Sequence, residues 1–161
     1  VNAPRLYTVV FQAVAITASQ DLFMIAPADD KPVELLAVHF GQHTDFGDAQ
    51  DENLRWSVIR GLATVGSVGT SPTPQPVKGT NTAAGFTARC NDTTKAVVGA
   101  GTTEILHADD FNIRSGLYHR WDIPGSEPDC TQGKTRIVVR LEAAPVDSIT
   151  GDGTLLLGEF G

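Results

Sequence analysis

His39 and His43 stand in the stretch HFGQH beside the acids Asp45, Asp48, Asp51 and Glu52, and imidazole with carboxylate oxygens is a donor set that can hold a divalent cation. Gly41 between them marks a strand exit, and no third ligand stands at a fixed spacing, so the pair reads as a turn rather than a metal centre. Serine chemistry needs a nucleophile on a strained turn of the form GxSxG, with a histidine and an acid brought to it. The nearest match, Gly66-Ser67-Val68-Gly69, lacks that spacing and lies in a Gly/Pro-rich stretch. Asp29-Asp30 and Asp109-Asp110 pair carboxylates, but neighbours on a strand point to opposite faces and cannot share one site there. Turn chemistry accounts for the first pair and a solvated edge for the second. Gly99 and Gly101 fit neither the phosphate-loop nor the dinucleotide pattern.

Cys90 and Cys130 have no CxxC or Cys/His spacing around them and are expected as two free thiols. Trp56, Trp121, Tyr7 and Tyr118 could line a sugar-binding platform, because a flat ring covers a sugar's CH face; core packing is the more usual fate of so few aromatics. Asn91-Asp92-Thr93 matches a glycosylation sequon, which carries meaning only in a secreted chain. The residues therefore assign no catalytic, cofactor-binding or metal-ligating role, and a non-enzymatic protein is expected.

The elements that would carry these groups read as strands. Leu6 to Ile16 is rich in β-branched and aromatic residues, with Tyr7, Val9, Phe11 and Ala13 on one face of a period-two ribbon. A shorter apolar run, DLFMIAPA, ends at Pro27 before the turn Asp29-Asp30-Lys31-Pro32, and Val33 to Phe40 follows as a third strand. Gln42 to Asn53 is a solvated acidic loop, and Leu54 to Gly61 a half-buried strand. Small residues and prolines from Leu62 to Gly79 predict an extended, irregular segment. Phe86 to Cys90, Leu117 to Ile123, Lys134 to Leu141 and Thr154 to Phe160 read as further strands. Ile105 to Ile113 fits a strand or a brief helical turn.

Eight or nine strands at turn-punctuated spacing, with no long 3.6-residue period, predict an all-β chain: a jelly-roll-like β-sandwich with irregular Gly/Pro-rich loops, forming one domain over 1–161. A length of 161 residues with 41% hydrophobic and 19% charged residues suits one core that needs neither metal nor disulfide. The formal charge of −7, with no stripe of Lys and Arg, argues against nucleic acid as a partner. No apolar stretch reaches the roughly 20 residues of a membrane span, and the first residues lack the basic-then-apolar layout of a signal peptide. If these ends are native, maturation inside a cell is expected.

Four stretches, LYTVVFQAVAI with DLFMIAPADDKPVEL, LRWSVIRG, LHADDFNIRSG and RIVVRLEAAPVDSITGDGTLLLGEFG, resemble small virion structural proteins of tailed bacteriophages. The resemblance implies a capsid decoration, or cement, protein, assembled in the host cytoplasm and seated on the outer capsid surface. There it would bridge capsomers of the major capsid protein, commonly as a homotrimer matched to the threefold points of the shell. It carries over no catalytic residues. An acidic domain is repelled by packaged DNA and suits the outside of the shell. Residues 1–5 are expected to act as an N-terminal arm, and loop composition names Asn2, Pro4, Arg5, Pro72, Pro74 and Pro76 as partner-binding. A carbohydrate-binding or host-surface adhesion module of a virion is the alternative, with an exposed patch built from Trp56 or Trp121.

Overall fold

The computed structural model describes residues 3–43, 51–99 and 102–161. Asn2, most of the acidic loop and Gly101 lie outside the described residues. The strands are β1 (Arg5–Ile16), β2 (Gln20–Ala26), β3 (Val33–Gln42), β4 (Asn53–Arg60), β5 (Gln75–Pro76), β6 (Thr87–Asp92), β7 (Glu104–Asn112), β8 (Leu117–Arg120), β9 (Asp129–Cys130), β10 (Ile137–Leu141) and β11 (Ile149–Glu159). A single 3₁₀ turn, Gln132–Lys134, precedes β10. The expected strand over Lys134 to Leu141 is thus shorter, because its first residues close that turn.

Two antiparallel sheets pack as a sandwich. Sheet I has six strands in the order β5-β1-β11-β3-β8, with β9 also paired to β3; sheet II has five, in the order β6-β2-β10-β4-β7. The ambiguous segment around Ile105 is settled as a strand. It forms β7 at the edge of sheet II, and its exposed Asp109 and Asp110 occupy a solvated edge. No helix among the described residues is long and apolar enough to cross a membrane.

Alternation puts the core between the sheets. Tyr7, Val9 and Phe11 of β1, Leu35 and Phe40 of β3, and Leu155 and Leu157 of β11 face Leu22, Phe23 and Ile25 of β2, Leu54, Trp56 and Val58 of β4, and Ile137, Val139 and Leu141 of β10. Ala13 departs from the expected alternation. β1 bulges between Phe11 and Val14, so Ala13 takes φ +52° and is exposed. Gly153 of β11 leaves room for the phenylalanines: a Cβ there would lie 2.5 Å from the Phe11 ring and 3.1 Å from the Phe23 ring.

β2, β10 and β4 each carry an apolar residue on the outer face as well as an apolar inner face, so that outer side also needs a cover. Met24, Ile59 and Val138 point away from the core and form a second apolar cluster with Leu62 and Ala96. Residues 62–70 and 93–98 lie over that outer face, tied antiparallel to one another by the bridges Leu62–Val98 and Ser67–Thr94 and to β6 by Thr70–Cys90. The first part of the segment expected to be irregular, residues 62–70, is therefore a roof over sheet II.

Candidate partner-binding surface

Two buried aspartates hold the roof down. Asp21 of β2 and Arg140 of β10 form an ion pair at 2.6 Å with both side chains almost fully buried. The second Asp21 oxygen accepts the Ala96 N–H at 2.8 Å, and the Arg140 guanidinium donates to the Ala96 carbonyl at 2.7 Å. Asp92 of β6 receives a two-point contact from Arg89, both bonds at 2.8 Å, and accepts the Gly69 N–H at 2.9 Å. Charge-assisted bonds of this kind are among the stronger ones, and the two-point arginine contact also fixes geometry. Gly69 permits the close approach: a Cβ there would sit 2.1 Å from the Cys90 carbonyl oxygen. The glycines beside Ser67 thus serve packing.

The roof shows valines to solvent, set among exposed Thr64, Ser67, Thr70, Thr93 and Thr94. Val65, Val68, Val97 and Val98 are all exposed, and Val68 is 76% exposed at φ +78°. A β-branched residue in that backbone region is an outlier that persists only where its surroundings over-determine it. Here the bridges at Ser67 and Thr70 clamp the chain on both sides of it. Residues 62–80 carry one charged residue, Lys78, in a chain whose formal charge is −7.

The residues named from loop composition sit elsewhere. Pro4 lies against β11, close to Gly158. Arg5 opens β1, and its guanidinium donates to Thr82 Oγ1 at 2.7 Å and the Gly161 carbonyl at 2.9 Å, with buried Glu159 at 3.4 Å. Glu159 also accepts the N–H groups of Gly85 and Phe86. Pro72, Pro74 and Pro76 are half-buried, alternating with exposed Ser71, Thr73 and Gln75, as their segment passes from the roof to the edge of sheet I. There Gln75 and Pro76 pair with Thr8 and Tyr7 of β1. Proline has no N–H to offer a further strand, so it blunts that edge.

His43 Nδ1 lies 2.8 Å from Asp152 Oδ2, while His39 packs its ring on Tyr118, centroids 4.3 Å apart. Among the described residues, no three His, Cys, Asp or Glu side chains converge as metal ligands do. Trp56 and Tyr7 are buried in the core. Trp56 meets His107 and His119, which in turn meet Trp121, in a ring cluster where the edge strands β7 and β8 approach, with the imidazole centroids 4.4 Å apart. Burial, then the neighbouring His119, holds His107 below the ordinary imidazole pKa, against the pull of Asp109. Cys90 and Cys130 are buried free thiols, both pushed up to about 12 by burial, so neither is a nucleophile at neutral pH.

Sequence reasoning missed the roof and its valines. The available signal was the two-sided apolar character of FMI in β2 and IVV in β10, which requires a cover on each face. Comparison with protein-family models, with curated proteins and with solved structures returned no match to this chain.

Proposed function

We propose that this chain is a non-enzymatic virion structural protein, a capsid decoration protein that bridges capsomers of the major capsid protein on the outer shell, working as a homotrimer. The observation that carries the reading is the roof of sheet II: four exposed valines on loops held in one shape by the ion pairs of two buried aspartates, Asp21 and Asp92. Rigid, apolar, weakly charged surface loses little conformational entropy on docking, which is what an adhesive contact repeated many times over a shell requires. Binding only to the assembled shell stabilises it by mass action.

Strand order supports the jelly-roll form of the sandwich. With the two-residue strands β5 and β9 and the edge strand β6 set aside, β1-β11-β3-β8 lie in one sheet and β2-β10-β4-β7 in the other. This is the order that two interlocked Greek keys produce, in a fold that capsid and lectin domains use. Fold analogy does not assign function by itself, and the valines and the virion-protein resemblance add the weight here.

The test is the solution mass by light scattering, followed by co-sedimentation with capsids that lack the protein. A trimer that loads onto shells, and a Val68→Asp/Val97→Asp variant that melts like the parent yet stays in the supernatant, is the expected result. A monomer that ignores capsids, or a double variant that loads as well as the parent, overturns the reading.

A further inference from the structure

The face of the sandwich opposite the roof holds a depression of about 430 Å³ across the middle of sheet I. That volume falls in the range of small-molecule sites, roughly 300–1,000 Å³. Register builds it. Val10 of β1, Thr154 of β11, His39 of β3 and Tyr118 of β8 are successive partners across four strands, so their side chains share the outer face as one row. Asp152 and Gly41 form the neighbouring row. Gly41 leaves the floor open, since a Cβ there would meet nothing within 4 Å.

We propose that this depression is a cleft for a neutral saccharide, whose ring stacks on Tyr118 and whose hydroxyls donate to the carboxylate of Asp152. Tyr118 is 59% exposed, and His39 braces it edge-on. A held aromatic face covers the CH side of a sugar with little loss of side-chain freedom. Asp152 is equally set in place. One oxygen accepts the Ala13 N–H at 2.9 Å and the other contacts His43 Nδ1 at 2.8 Å, while the side chain remains about half exposed at 48%. Each carboxylate oxygen has a second lone pair, which a sugar hydroxyl can fill. The bulge in β1 is what turns the Ala13 N–H toward Asp152, giving that irregularity a task. Gln12 and Thr154 add an amide and a hydroxyl to the wall.

The surroundings select the ligand class. Asp152 lies in the wall, the chain charge is −7, and the guanidinium beside Tyr118, that of Arg120, is paired with Asp122, so sialylated or sulfated sugars are disfavoured. An extended peptide adds to a free sheet edge, whereas β11 and β3, in the middle of this cleft, are hydrogen-bonded on both sides. One aromatic ring among hydroxyl-binding groups fits a polyol rather than an apolar protein surface. The inference does not rest on the capsid reading, because the cleft and the roof are on opposite faces.

The experiment is a printed array of neutral, sialylated and sulfated oligosaccharides, read with the intact protein and followed by saturation-transfer NMR with the best neutral glycan. Binding to at least one neutral glycan is expected, weakened tenfold or more in Tyr118→Ala and in Gly41→Leu, with melting temperature and shell loading unchanged. Gly41→Leu fills the floor; should it lower the melting temperature, Tyr118→Ala decides. The proposal is overturned by no binding to any neutral glycan, by binding confined to the anionic ones, or by neutral-glycan binding that survives Tyr118→Ala. Failure of the parent protein to load onto shells while it binds a neutral glycan would remove the capsid reading and leave this one standing.

Discussion

The outer face of sheet II carries Met24, Ile59 and Val138 and is roofed, while the outer face of sheet I carries Val10, Thr154 and His39 and stays open. Both sheets are antiparallel and share one core, so the difference comes from the side chains that alternate away from it. Apolar residues on an outer face must find a cover, and residues 62–70 and 93–98 supply one. The cover brings polar backbone over an apolar sheet, and Asp21, Arg140 and Asp92 satisfy part of it. On sheet I Val10 is accompanied by His39, Asp152 and Thr154, and a mostly polar face needs no cover and leaves a cleft accessible. One face thus becomes a rigid platform and the other a solvent-filled groove.

The contrast is most exposed to attack at the ion pair. Arg140→Ala leaves the Asp21 carboxylate buried without its cation and should cost about 3–5 kcal/mol, seen as a lower urea midpoint. Hydrogen exchange should rise first around Ala96, whose N–H and carbonyl both join that network. A loss confined to global stability, with exchange at Ala96 unchanged, would mean that the pair does not hold the roof.

Glycines on the two sides of sheet I sharpen the comparison. Gly153→Ala drives a Cβ into the Phe11 ring and should destabilise by about 1–3 kcal/mol. Gly41→Ala enters open space and should stay within about 0.5 kcal/mol of the parent. Equal effects in thermal melts would show that the outer face is as tightly filled as the core.

Val68→Gly removes a β-branched side chain from φ +78° and should stabilise by up to about 1 kcal/mol, while weakening shell loading. Such an exchange of function for stability is the mark of strain kept for use. A variant both more stable and equally adhesive would show that Val68 carries no contact.

The smallest expected effect is one of pH. His107 faces Trp56 from β4, His119 from β8, Trp121, and Asp109 on its own strand. Its folded-state pKa is lowered, chiefly by burial, so between the two values the unfolded chain binds more protons than the folded one. Stability should therefore be fully present above the ordinary value near 6.5 and fall as pH drops below it. His107→Gln should flatten that limb of a melting-temperature profile; an unchanged slope would assign the acid sensitivity to other groups.

Much of the strand pattern was legible because alternation is local. Tyr7, Val9 and Phe11 declare their face within five residues, and LRWSVIRG does the same. The roof was not legible as structure, since its anchors join Asp21 to Arg140 and Gly69 to Asp92 across long stretches of chain. Composition marked residues 62–79 as irregular, and only pairing shows that 62–70 cover sheet II while Gln75 and Pro76 edge sheet I. The cleft was hidden for a related reason: Tyr118, His39 and Thr154 become neighbours through the register of β8, β3 and β11. The aromatic residues chosen from sequence for a sugar platform included Tyr118, but Trp56 and Tyr7 belong to the core because their strands turn those positions inward.

Hydrogen-exchange mass spectrometry of the protein free and bound to shells tests the two-faced account most directly. The account predicts new protection over residues 62–70 and 93–98, with residues 37–41 and 117–120 exchanging as in the free protein. Protection of the sheet I face with an unchanged roof would contradict it.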